Sequence, residues 1–180
     1  MRLLRKFTIQ QRLILLIALV LSGFIILSSI SLSQAYQSLL KQKYNTNQQV
    51  VETAYGVVEH FHQQQNDGLL NEEQAKKQAM EVLNSLRYED GNYFWINDFT
   101  PHIIMHPITP ALNGKDVGTT KDPDGTLLFI NMVNIVRDKG EGFVPYKWPK
   151  PGIDQPVNKI SFVKGFTPWQ WIIGSGTYID

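Results

Sequence analysis

The chain has 180 residues, of which 17 are lysine or arginine, 16 are acidic and none is cysteine, so disulfides, thiolate metal sites and a cysteine nucleophile are excluded. Arg2, Arg5, Lys6 and Arg12 precede an apolar run with no acidic residue among them, so the remainder carries four fewer basic residues than the total of 17 and is mildly acidic. Such a remainder has no electrostatic footprint for gripping a phosphate backbone, which argues against nucleic acid as a partner.

Residues 13–30 read LILLIALVLSGFIILSSI, eighteen positions without a charge, close to the length that crosses a hydrocarbon core as a helix. The basic residues before it predict a cytoplasmic segment over residues 1–12, a transmembrane helix over residues 13–30 and an extracytoplasmic domain over residues 31–180. A cleaved signal peptide would share the basic start and could use Ser33-Gln34-Ala35, but the apolar stretch is longer than the usual signal core.

From residue 31 to about residue 65 there is no proline, and Tyr36, Leu40, Tyr44, Val50, Ala54, Val57, Val58 and Phe61 recur at helical intervals. This predicts a long amphipathic helix continuing the span. Asn71 with Gln74 three residues later predicts a capping box opening a second helix, with Ala75, Ala79, Val82, Leu83 and Leu86 as its stripe. His60 and His62 are expected on solvated sides of the first helix.

Beyond Gly91 the pattern changes to short β-rich runs at residues 93–96, 103–105, 142–148, 159–163 and 171–178, which predict five strands. Asp122-Pro123-Asp124-Gly125 predicts a turn. Leu128, Phe129, Met132, Val133 and Val136 predict a short helix ended by Lys139-Gly140. The fold class is therefore α+β, an antiparallel sheet with helices on its faces.

The candidate chemistry is sparse. His102 and His106 have helical chelate spacing, but the prolines around them and Ile103-Ile104 argue for a strand, where they would stand ~13 Å apart and share no metal. Asp122-Pro123-Asp124-Gly125 lacks the glutamate of a calcium loop. Gly174-Ser175-Gly176 lacks the surroundings of a nucleophile elbow, so its glycines are expected to serve turns or close packing beside the sheet. Without an activated nucleophile, a metal cluster or a paired acid and base, neither enzymatic activity nor a cofactor is expected. Aromatic residues crowd the β-rich part, and Arg87, His106 and Lys164 stand among them. Arginine can grip a carboxylate bidentately while aromatic rings exclude water, which suits a small anion. A solvated role for Arg87 and Lys164 is equally compatible with their spacing.

Taken in order, Arg87-Tyr88-x4-Tyr93-Phe94-Trp95-Ile96, Met105-His106-Pro107-x2-Pro110-x-Leu112-x-Gly114-Lys115, Asp122-Pro123-Asp124-Gly125, Gly140-x-Gly142-Phe143-Val144, Tyr146-x-Trp148-Pro149-Lys150-Pro151-Gly152 and the ending from Trp171 to Asp180 resemble the single-Cache, type 2 sensor domains of bacterial methyl-accepting chemotaxis proteins and some sensor kinases. The resemblance implies a PAS-like sheet behind a long N-terminal helix, in the periplasm of an inner-membrane protein. It also implies a homodimer and a short carboxylate ligand such as acetate, propionate, pyruvate or lactate. Arg87, Tyr88, Tyr93, Trp95, His106, Tyr146, Trp148 and Lys164 occupy its motif positions and are the candidate ligand-binding residues. Phe162 stands where the family often has tyrosine, which would remove a hydroxyl donor. The resemblance leaves the output module open, with a histidine kinase or cyclic-nucleotide signalling protein as alternatives to chemotaxis.

Overall fold

The computed structural model describes residues 8–89, 91–153 and 155–179. Arg2, Arg5 and Lys6, which orient the predicted span, lie outside the described residues, as does the terminal Asp180. The described chain forms two compact units that divide between Gln42 and Lys43.

In the first unit every residue from Ile9 belongs to α1 (Ile9–Asn66), which is long and apolar enough at its start to cross a membrane. Leu13, Ile17, Phe24 and Ile25 are exposed, so this segment has no protein core of its own. The hydroxyls of Ser22 and Ser29 donate to the carbonyls of Leu19 and Ile25. Their hydrogen bonds are thus made within the helix, as a hydrocarbon surrounding requires.

The second unit opens with the rest of α1, whose buried residues Asn47, Val51, Ala54 and Val58 follow at spacings of four, three and four. α2 (Glu72–Ser85) begins with the anticipated capping box, Asn71 accepting from Gln74 N–H and the Gln74 side chain accepting in return. The strands that follow are β1 (Arg87–Tyr88), β2 (Asn92–Asp98), β3 (Ile103–Met105), β4 (Glu141–Pro149), β5 (Pro156–Phe166) and β6 (Trp171–Tyr178). α3 (Leu128–Lys139) lies between β3 and β4 in sequence, and Gly140 ends it in the left-handed conformation at φ 80°. The sheet order is β1-β2-β6-β5-β4, with β3 on β2, all antiparallel. Five strands were expected; the sixth, β1, is two residues long, too short for any period of alternation to reveal.

The pleat divides the sheet into two chemically distinct faces. Phe94, Ile96, Phe162, Phe166, Trp171 and Ile173 pack against Val51, Ala54 and Val58 of α1 and Ala75, Ala79 and Leu83 of α2. Tyr93, Trp95, Val144, Tyr146, Val163 and Ile172 face the other way, with Leu128, Phe129, Met132, Val133 and Val136 of α3. His62 belongs to the first group rather than to solvent: it is half-buried, with its ring edge-on to Phe166 and Trp169 at 5.3 and 5.7 Å. The correction arises because the chain after β5 folds back onto the end of α1, where Trp169 Nε1 donates to Gln65.

Asp122 turns its carboxylate into a clip. Oδ1 accepts from the N–H of Asp124 and Thr126, and Oδ2 from the N–H of Lys147 in β4, while Gly125 N–H closes the turn on the Asp122 carbonyl at 2.9 Å. Gly174 and Gly176 serve close packing. A Cβ at Gly174 would strike the indole of Trp95, its partner across the sheet, and a Cβ at Gly176 would overlap Ser161 Oγ and come 2.6 Å from Lys159 Cε. Gly174→Ala should therefore destabilise the domain by about 1–3 kcal/mol, the usual cost of forcing a methyl into a packed site. Urea denaturation followed by tryptophan fluorescence measures this; an unchanged midpoint would contradict the packing.

Candidate functional site

On the α3 side of the sheet, polar groups gather around a lysine. Lys159 lies within β5, where Lys159, Ser161 and Val163 share a face. Only 1% of it is exposed. Its ammonium donates to the hydroxyls of Tyr93 at 3.2 Å and Tyr178 at 3.4 Å, and it sits 4.3, 4.8 and 5.7 Å from the ring centroids of Tyr93, Tyr178 and Trp95. Glycine at position 176 makes this possible, because the lysine stem lies where a side chain would otherwise stand. Among the described residues no carboxylate pairs with this ammonium, and burial alone lowers its pKa to about 7.

Around it are Tyr93 and Trp95 from β2, Tyr146 and Trp148 from β4, Tyr178 from β6 and His106 just after β3. The Tyr146 and Ser161 hydroxyls are hydrogen-bonded at 2.8 Å. The His106 ring is 5.0 Å from that of Tyr93 and 6.2 Å from that of Trp148. Burial, and then the charge of Lys159, lowers the His106 pKa to about 4, so this imidazole is neutral near pH 7. Its Nδ1 accepts from Thr109 N–H at 3.0 Å, which assigns the proton to Nε2. The His106 N–H is held in turn by Asn113 Oδ1. Tyr178 donates its proton to the Pro149 carbonyl and accepts from Lys159, while the Tyr93 hydroxyl accepts from Lys159 and also hydrogen-bonds with Tyr178 and Trp148. Burial raises the pKa of Tyr93 and Tyr146 well above the ordinary phenol value, so both stay protonated.

Two clefts reach these residues from outside. One of about 410 Å³ is lined by Ile108, Thr109, Leu112 and the stretch from Trp148 to Ile153; the other, about 190 Å³, touches Tyr146 and Lys159 but also Asp122 and Asp124. In the second, Lys147 pairs with Asp124 at 2.9 Å and the Asp122 carboxylate is taken up by backbone N–H groups.

Of the eight residues expected from sequence, Tyr93, Trp95, His106, Tyr146 and Trp148 come together here, and three do not. Arg87 is exposed, and its guanidinium folds back onto the Asn84 and Leu86 carbonyls at 2.8 and 2.7 Å, capping the end of α2. Tyr88 lies on the opposite face, where its hydroxyl meets Ser175 Oγ at 2.7 Å and its ring tilts over Phe94. Lys164 pairs with Glu141 at 2.6 Å and lies 5.1 Å over the Tyr55 ring of α1, also on the opposite face. Phe162 shares that face and packs on Phe143 at 4.7 Å, so a hydroxyl at this position would point away from Lys159. Lys159 and Tyr178 were the residues missed. Two signals in the sequence pointed to them: a lysine that alternates with Ser161 and Val163, and a Gly-x-Gly opposite it.

Residues 2–180 match the family model dCache_2, described as a Cache domain. The chain belongs to the Cache family. The sequence resemblance named the single-Cache, type 2 branch; the matching model carries the dCache_2 name, and this chain contributes one sheet. This Cache domain is 41% identical over its full length to the methyl-accepting chemotaxis protein McpP of Pseudomonas putida KT2440, of which it spans 33%. It is 34% identical over 61% of its length to the sensor histidine kinase MctS of Rhizobium johnstonii, spanning 24% of that protein. The chain is thus a third or less of the length of these curated relatives. Among solved structures, the periplasmic sensor domain of a chemotaxis protein superposes with TM-score 0.76 and 44% identity, over 79% of this chain and 98% of that one. A Cache chemosensory domain described for its carboxylic acid recognition superposes with TM-score 0.77 and 45% identity, over 80% and 98%.

The buried ammonium has a thermodynamic signature. Its folded pKa lies below the unfolded value of about 10.4, so the unfolded chain holds more protons between the two, and stability without ligand should rise with pH above about 7 by at most ~1.4 kcal/mol per unit. Chemical denaturation at pH 7 and pH 9 checks this. Lys159→Met should abolish the difference, and a wild-type domain no more stable at pH 9 would contradict the desolvated lysine.

Proposed function

We propose that this Cache domain is the extracytoplasmic sensor of a chemoreceptor in the inner membrane, and that it binds a short carboxylate by pairing it with Lys159. The observation that carries the reading is an ammonium buried among aromatic rings without a carboxylate partner among the described residues. Burying a charge is costly unless it is paired, and a ligand carboxylate supplies the missing partner in water-poor surroundings. Nε2–H of His106 adds a donor, and Trp95, Tyr146 and Trp148 provide the wall. The carboxylic acid recognition described for a structural relative, and the chemotaxis protein with 41% identity, support the same reading. Acetate, propionate, pyruvate and lactate each carry the single carboxylate that this ammonium would pair.

In this reading residues 13–30 anchor the chain and residues 31–180 form the sensor. Two copies pair through α1, where exposed Leu32, Tyr36 and Leu39 follow at spacings of four and three. A chain beginning at Ser31 should fold with an intact circular dichroism spectrum. Equilibrium sedimentation of the ligand-saturated domain should show dimers at high concentration, and a persistent monomer would sink the pairing.

Calorimetry with acetate, propionate, pyruvate and lactate tests the ligand. Lys159→Met should weaken binding on the order of tenfold to a hundredfold, as for loss of a charge-assisted hydrogen bond. Arg87→Ala should leave affinity unchanged, since its guanidinium is committed to α2. Affinity should also fall by about tenfold per pH unit once pH exceeds the Lys159 pKa, because the neutral amine must regain its proton to pair with the anion. An affinity independent of Lys159 and of pH would remove this residue from the site.

A further inference from the structure

Two hydrogen bonds join α1 to the sheet directly behind Lys159. Lys43 Nζ donates to the Tyr178 carbonyl at 2.7 Å, and Asn47 Nδ2 donates to the Ile160 carbonyl at 2.9 Å. Lys43 and Asn47 are one helical turn apart on α1. Their acceptors are equally close together: Lys159 pairs with Tyr178 across the β5–β6 ladder, and Ile160 follows Lys159 in the chain. The rung that carries the buried ammonium and its phenol partner is thus gripped from the far face by α1. Asn47 differs from the rest of the α1 stripe, which is apolar. It is 1% exposed, and its Oδ1 has no hydrogen-bond partner among the described residues. A buried acceptor without a donor marks this join as the least satisfied contact between α1 and the sheet, and hence the place where a second arrangement costs least.

We infer that Lys43 and Asn47 are the positioning residues through which α1 registers occupancy of the Lys159 chamber. The inference rests on the carboxylate reading. An anion that pairs with Lys159 changes the pull on Tyr93 and Tyr178, and the Tyr178 backbone is one of the two points that α1 holds. Lys43 and Asn47 lie on the same helix as Val51, Ala54 and Val58, so a shift at these residues is a shift of the helix face packed on the sheet.

The test uses the 180-residue chain in lipid nanodiscs, with propionate as probe, binding followed by calorimetry and amide hydrogen exchange followed in peptides covering residues 43–58. Saturating propionate should change exchange in this segment by about fivefold or more, the lower range of measured coupling between sites. Lys43→Met and Asn47→Leu should still bind propionate yet lose that change. Val51→Ala thins the same helix–sheet contact without touching either hydrogen bond and should keep it. If the change persists in both polar variants, is lost equally in Val51→Ala, or is missing from the wild-type chain with propionate bound, the inference is overturned. If neither propionate nor acetate, pyruvate or lactate binds the wild-type chain, the carboxylate reading itself falls and takes this inference with it.

Discussion

A buried ammonium with no carboxylate partner among the described residues is the constraint around which this Cache domain is arranged. An isolated charge in a dry interior is costly, and among the described residues the fold meets that cost with weak partners: two phenol oxygens and the faces of three aromatic rings. These soften the penalty without removing it, which is why the lysine pKa is lowered to about 7. A lysine matched to an internal glutamate would keep its charge at lower cost. Lys164 is that counter-case: its ion pair with Glu141 raises its pKa, and it braces β4 against β5 on the opposite face.

The surroundings of Lys159 are held stiffly by hydrogen bonds that do not themselves reach its ammonium. Thr109 fixes the tautomer of His106, Asn113 holds its backbone, and the Pro149 carbonyl takes the Tyr178 proton. The Asp122 clip ties the turn before α3 to Lys147, between Tyr146 and Trp148. Donors oriented before the ligand arrives avoid an ordering cost on binding. Neutral His106 also matters electrostatically, since a second cation beside Lys159 would depress the lysine further.

The same pleat that builds the chamber brings it within one residue of α1. In β5, Lys159 and Ser161 face the chamber while Ile160 and Phe162 face the helices, and the Ile160 carbonyl is the acceptor for Asn47. The buried ammonium and the helix contact therefore occupy alternate residues of one strand. No long pathway is needed between them, because a strand cannot move one face without the other.

Much of this was legible in the residues themselves, where the deciding physics is local. Residues 13–30 announce a span by length and apolarity, Asn71 and Gln74 announce a cap, Lys139-Gly140 announces a helix end, and the alternation of Val144, Tyr146 and Trp148 announces a shared face; the structure carries each of the last three. The composition of the site was only partly legible, because it depends on which strands lie opposite one another. Arg87 was a reasonable anion ligand until the end of α2 placed carbonyls beside it, and Tyr88 and Lys164 fall on the other face by the parity of their strands. In the sequence Lys159 only opens the β-rich run over residues 159–163. Only pairing β5 with β6 put Gly176 opposite Ser161 and left a groove for the lysine stem, and only closing Tyr93 and Tyr178 over it took the charge out of water. Local sequence determined the elements; the register between distant strands decided which charge would be buried, since desolvation depends on neighbours far away in the chain.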